Sequence, residues 1–219
     1  MRFIVFDTET TGLPKNKKAS VENSDAWPYI VQISWLIYDD VKEKIPKIKD
    51  YIIKLPEGIT IPEDSIKVHG ITNDKMLEQG IPIYGVLREF TRDFLSCQML
   101  IAHNIEFDTK VIQAEYCRNI TINWIGRHRK IEYCTMKYGK KFTNIIRQSK
   151  YHNGTYQKPP KLIELHKALF KTDPNNLHNS LVDVFVCFRC FHEMVFEKDI
   201  FDPNVNKELS EHYNNLCNL

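Results

Sequence analysis

No apolar run in this 219-residue chain approaches the roughly 18 residues that a membrane-crossing helix needs, so no transmembrane segment is expected. An apolar strand pattern starts at Met1 and leaves no room for a signal or transit peptide, which makes a cytoplasmic location the expectation. A disulfide framework is also lacking. Cys97, Cys117, Cys134, Cys187, Cys190 and Cys217 are scattered, as reduced thiols in a cytosol-like compartment would be. Cys187 and Cys190 do form a C-x-x-C, but no second Cys or His pair stands at zinc-finger spacing. Their neighbours Val184, Phe185, Val186, Phe188 and Phe191 read as a packed helix. There is no internal repeat, no low-complexity segment, and no polymerase or helicase domain. What remains is an ordinary globular balance, 42% hydrophobic and 26% charged residues. It suits one large domain over residues 1–202 followed by a polar tail, 203–219.

The net charge of +2 conceals a strong polarity. Residues 127–161 hold ten Lys or Arg against one acid, Glu132, so this segment carries +9 and the remainder is acidic. Tyr133, Tyr138, Phe142, Tyr151 and Tyr156 lie among those cations. Phosphates need cations and unpaired bases need π-faces, so the segment suits a single-stranded nucleic acid; a solvated basic loop fits it equally well.

Periodicity predicts strands over about 2–8, 29–39 and 49–55, the third set off by Pro46 and Pro56. A short helix then starts after Pro62, with Gly70 as a left-handed cap. Residues 83–96 repeat at helical spacing, 99–102 form a short buried strand, and 107–116 form a helix with Asn104 as a plausible N-cap. A fifth strand is expected at 131–135, and helices at 162–170 and about 180–196. Val205, Leu209, Tyr213 and Leu216 make the tail weakly amphipathic. It either packs on its own domain or docks to a partner.

Chemistry enters at the end of the first strand. Side chains alternate along a strand, so Asp7 and Glu9 point the same way. Two carboxylates on one face repel unless a cation sits between them, so they form half of a candidate metal site. Asp108 lies in the first turn of the helix that follows the strand at 99–102, where the helix dipole favours an anion. Asp183 stands at the polar edge of the last core helix. His178 is five residues earlier, about 140° off its face on a straight helix, and can share a site with it only from the preceding loop.

These residues carry a resemblance. Asp7-x-Glu9, His103-Asn104-x-x-Phe107-Asp108 and His178-x-x-x-x-Asp183 are similar to the three motifs of the DEDDh class of 3′→5′ exonucleases, the family of the proofreading ε subunit of bacterial DNA polymerase III. Supporting matches include residues 7–14, 30–33, 68–72, 134–136 and 161–165. Ser180 and Val184 stand where that family usually has alanine.

The resemblance implies an α/β, ribonuclease H-like fold with a five-stranded mixed β-sheet flanked by helices. It implies hydrolysis of single-stranded DNA from the 3′ end to nucleoside 5′-monophosphates, with RNA trimming as the alternative. Asp7, Glu9, Asp108 and Asp183 would hold two Mg²⁺, with Mn²⁺ able to substitute, and His178 would be the general base. Thr8, Thr10, Leu13 and Asn104 would meet the terminal nucleotide. Lys140 and Lys141 would meet the strand upstream, and Lys15, Lys17 and Lys18 are candidates for incoming phosphates. A DNA polymerase is a possible partner through the C-terminal tail. No membrane partner is expected.

Overall fold

The computed structural model describes residues 1–120, 122–149, 153–175 and 177–217; Tyr151, named above, lies outside the described residues. The chain runs β1 (Arg2–Thr10), a 3-10 turn (Ser24–Ala26), β2 (Ile30–Asp39), β3 (Lys44–Lys54), α1 (Glu63–His69), α2 (Asn73–Gln79), β4 (Ile81–Pro82) and α3 (Ile83–Ser96). It continues through β5 (Met99–Ala102), α4 (Ile105–Asn119), α5 (Trp124–Arg127), β6 (Ile131–Cys134), α6 (Thr135–Tyr138) and α7 (Lys140–Thr143). A hairpin of β7 (Ile146–Gln148) and β8 (Thr155–Gln157) follows, then α8 (Leu162–Phe170), α9 (Ser180–Phe196) and α10 (Lys207–Cys217).

One mixed sheet orders the strands β4-β3-β2-β1-β5-β6. β1–β2 and β2–β3 are antiparallel, whereas β1–β5, β5–β6 and β3–β4 are parallel. The architecture is that of a ribonuclease H-like fold, with a correction to the strand count: Ile81 and Pro82 add a sixth, two-residue strand at the edge. β3 also runs through Pro46 instead of starting after it. Between Ile37↔Lys47 and Asp39↔Lys44 the ladder breaks register, and Pro46 lies in that irregular stretch, where a missing N–H costs no ladder bond.

Alternation along β1 divides the core. Ile4 and Phe6 pack with Trp35, Phe90 and Phe94 and with the buried side of α4. Phe3 and Val5 pack on the opposite face against Phe185, Phe188 and Phe191 of α9. Cys187 and Cys190 are buried free thiols in that second cluster, and burial pushes both above the usual thiol range. Among the described residues, no helix is long and apolar enough to cross a membrane.

The tail is more ordered than its sequence pattern implies. α10 buries Tyr213 and Cys217 against the α9 core, with Leu209 and Leu216 packed beside them; Val205 lies outside the helix and is exposed. The Tyr213 hydroxyl is 3.0 Å from His166 Nε2. His166 Nδ1 faces the Thr172 carbonyl at 2.9 Å, so Nδ1 carries the proton and Nε2 accepts. Arg189 pairs with Asp199 at 2.6 Å and lies over the rings of Phe170 and Tyr213. Tyr213→Ala is expected to cost about 3–5 kcal/mol, as for a buried aromatic, and Tyr213→Phe about 1 kcal/mol for one hydrogen bond. Urea denaturation checks both; equal costs would mean that the ring contributes little.

Candidate active site

The topology delivers four carboxylates to one place. β1 and β5 are parallel and adjacent, so the end of β1 lies beside the turn that leads from β5 into α4. Asp7 and Glu9 project there from the α9 face. Asp108, in the first turn of α4, is 2% exposed, and its Oδ1 accepts from the Thr8 amide (3.1 Å) and the Thr8 hydroxyl (2.7 Å). The Thr8 hydroxyl therefore points at Asp108. Asp183 lies in the first turn of α9. Two helix N-termini thus face the same carboxylate-rich end of β1, both favourable to anions.

His178 stands in the loop before α9, as its spacing requires, with a left-handed backbone (φ 71°). Its amide donates to Asp183 Oδ2 at 3.3 Å, and Asn179 caps the helix by accepting from the amides of Leu181 and Val182. One ligand atom from each of Glu9, His178 and Asp183 lies within 4.8 Å of the others.

The start of α9 is held by polar residues that belong to none of the three motifs. The Ser180 amide donates to Gln32 Oε1 at 3.2 Å, and its hydroxyl reaches Ser34 and the Asp7 carbonyl. Gln32 and Ser34 both donate to Asp50 Oδ1 at 2.7 Å. The signal was a glutamine and a serine inside β2, a strand buried along its whole length. Ser180, in place of the family's alanine, helps tie Asp183 to the Asp7 strand.

The electrostatics are strained. Burial, with no other cause resolved, raises the Asp7 carboxyl to about 7. Burial and then the charges of Asp7, Asp183 and Asp108 raise Glu9 to about 9. Asp108 and Asp183 are also pushed well above the carboxylate range, first by burial and then by Asp7, against the opposing pull of their backbone donors. Asp183 Oδ1 is buried without a hydrogen-bond partner among the described residues. An orphaned carboxylate oxygen and an oxygen-rich donor set fit hard divalent cations such as Mg²⁺ or Mn²⁺, which coordinate oxygen.

The other predicted positions divide. Leu13, 76% exposed, and Asn104 line one cavity of about 200 Å³ with Trp27, Phe107, Lys17 and Lys110. Asn104 occupies the N-cap position of α4, but its side chain makes no capping bond; its backbone is left-handed (φ 69°). Thr10 sits where the β1–β2 register shifts, and its hydroxyl donates to the Gly12 carbonyl at 2.7 Å. Lys140 and Lys141 are on α7, away from that cavity's lining. His103 faces the Pro160 carbonyl through Nε2 (3.1 Å) and Thr135 through Nδ1 (3.0 Å), and burial lowers its pKa to about 4. His69 Nδ1 accepts from the Ile71 amide, fixing the end of α1.

Residues 4–191 match the model of a family described as Exonuclease, the RNase T family. The chain belongs to this exonuclease family. It is 22% identical over 206 residues to DNA polymerase III subunit epsilon of Buchnera aphidicola, covering 93% of this chain and 77% of that protein. It is 32% identical over 119 residues to DNA polymerase III PolC-type of Streptococcus pyogenes serotype M2, covering 53% of this chain but 7% of that one. Among solved structures, E. coli exonuclease I in complex with a dT13 oligonucleotide superposes with TM-score 0.63 at 14% identity, over 96% of this chain and 44% of that chain. A further exonuclease I structure gives TM-score 0.66 at 16% identity, over 96% and 43%. The chain therefore spans less than half the length of those solved chains. Structural likeness at such identities carries the fold, and the family match carries the class of hydrolytic nuclease.

Proposed function

We propose that the chain is a metal-dependent exonuclease of the DEDDh type that removes nucleoside 5′-monophosphates from the 3′ end of single-stranded DNA. The observation that carries this reading is the cluster of Glu9, His178 and Asp183 at the end of β1, with Asp7 and Asp108 near enough to raise their carboxylate neighbours by charge. The similarity to an epsilon subunit and to an exonuclease I bound to an oligonucleotide supports it.

Asp7, Glu9, Asp108 and Asp183 would hold the cations, Glu9 and Asp183 on the side of the site nearer His178. Two divalent cations bound there would offset the phosphate charge and make the attacking water more acidic. His178, an imidazole on an exposed loop, would accept the proton of that water. Thr8 would orient Asp108. The cavity between Leu13 and Asn104 would take the terminal nucleotide, its base against apolar side chains and its phosphate near Lys17.

The experiment is a gel with matched DNA and RNA oligonucleotides, labelled at either end, in Mg²⁺, Mn²⁺ or EDTA. Stepwise loss from the 3′ end, stopped by EDTA, is expected, with DNA degraded faster than RNA. Laddering from the 5′ end, or cleavage indifferent to EDTA, would overturn the assignment. A higher rate on RNA would move the substrate to the trimming of RNA ends while leaving the chemistry unchanged.

A further inference from the structure

The β7–β8 hairpin is an arm of the basic segment that the site chemistry does not use. Antiparallel pairing sets Arg147 directly opposite Tyr156, so both side chains stand on one face of the ribbon. Both are exposed, Tyr156 by 47%, and neither side chain makes a hydrogen bond, ion pair or ring contact among the described residues. A guanidinium and a phenol ring thus stand side by side in water, with no core residue between them and solvent.

The arm is joined to the body. Gln157, on the opposite face, donates to the Lys140 carbonyl at 2.7 Å and so fixes β8 to α7. Lys158 holds both oxygens of Glu164 at 2.8 Å, securing the return limb to α8. Two residues further on, the Pro160 carbonyl accepts from His103, the residue that follows β5 and leads to Asn104 and Asp108. One part-buried hydrogen bond therefore separates the base of the arm from the active-site turn.

The charge around the arm is unbalanced. Lys137, Lys140, Lys141 and Arg147 have no carboxylate within ion-pair distance among the described residues. Lys141 lies over the ring of Phe142, itself 38% exposed, at 5.0 Å. Unpaired cations among exposed aromatics match a flexible polyanion with stackable bases and offer little to a globular acidic partner.

We propose that the Arg147–Tyr156 rung is a second hold on single-stranded nucleic acid, gripping nucleotides upstream of the one in the catalytic site. Tyr156 stacks on a base and Arg147 pairs with the adjoining phosphate. The inference rests on the exonuclease reading for its direction, because the strand must run from the arm towards the carboxylates. It predicts a preference for long substrates that the catalytic site alone cannot produce.

The test separates the two ideas. Anisotropy of 5′-fluorescein oligodeoxythymidines, about 4 and about 20 nucleotides long to bracket one such hold, is measured in EDTA so that binding is read without turnover. The wild type should bind the longer probe more tightly. Arg147→Ala and Tyr156→Ala should each weaken the longer probe roughly tenfold and leave the shorter unchanged. Tyr156→Phe should restore binding, and Arg147→Ala should reduce the salt slope by about one unit. Melting temperatures equal to wild type confirm that the variants fold. Equal losses on both probes, no loss on either, or no length preference in the wild type would each overturn the arm. Length-dependent binding without 3′ degradation in Mg²⁺ would instead retain the arm and sink the exonuclease reading.

Discussion

Asp7→Asn is expected to reduce turnover by on the order of 10³-fold, about 4 kcal/mol of barrier, and at the same time to stabilise the metal-free protein. Both effects have one origin. Asp7 is a carboxylate on a core strand, raised to about 7 by burial, and it in turn raises Glu9, Asp108 and Asp183. The folded protein thus holds protons that the unfolded chain, with ordinary carboxylates, releases. A group whose folded pKa is raised contributes stability at low pH and loses it as pH rises towards the folded value. For Asp7 that loss runs from about 4 to about 7, and for Glu9 it extends to about 9. The melting temperature in EDTA should therefore fall between pH 5 and 9.

Mn²⁺ or Mg²⁺, binding the ionised site of the folded state alone, should restore stability by an amount that grows with pH. Asparagine keeps the shape of Asp7 and removes its charge, so the variant should show a shallower fall and a smaller gain from metal. Thermal melts of both proteins across that range, with and without metal, provide the check. A metal-free melting temperature that climbs with pH would contradict the charge arrangement described here.

The parts legible in the sequence are those whose cause is local. Strand alternation is enough to put Asp7 and Glu9 on one face, a first-turn position is enough to put Asp108 at a helix N-terminus, and the five-residue offset is enough to move His178 into a loop. What escaped the sequence depends on partners distant in the chain. Gln32 and Ser34 look like interruptions of an apolar strand until Ser180 and Asp50 arrive beside them. Pro46 signals a boundary until the register shift in β3 gives it an unpaired place. Asn104 has the identity of a side-chain cap but adopts a left-handed turn instead. The β7–β8 hairpin has no alternating apolar pattern because neither face is buried in the core. α10 reads as weak because its stability comes from Tyr213, His166 and Arg189 meeting beneath it.

His178→Ala should lower kcat by about 10²–10⁴-fold, the usual contribution of a general base, with KM changed only a few-fold. Two roles compete for this residue. Its ring lies within 4.8 Å of ligand atoms on Glu9 and Asp183, so it could hold a cation directly. Alternatively it takes the proton of the attacking water, with the cations left to the carboxylates. The contact between the His178 backbone and Asp183 distinguishes them, because the amide that donates to Asp183 Oδ2 survives substitution by any residue except proline. A side-chain variant therefore leaves Asp183 oriented. If His178 is the base, the alanine variant should bind Mn²⁺ with wild-type affinity by calorimetry, lose turnover, and recover part of it with added imidazole. If it is a ligand, Mn²⁺ affinity should fall and excess metal, not imidazole, should restore the rate. His178→Asn guards against a backbone artefact: asparagine tolerates the left-handed φ of 71° better than alanine and is not a base at neutral pH. Equal losses in the alanine and asparagine variants would place the effect in the imidazole ring itself, whose role the Mn²⁺ affinity and imidazole rescue then decide. A loss confined to alanine would place it in the geometry of the loop that carries the residue.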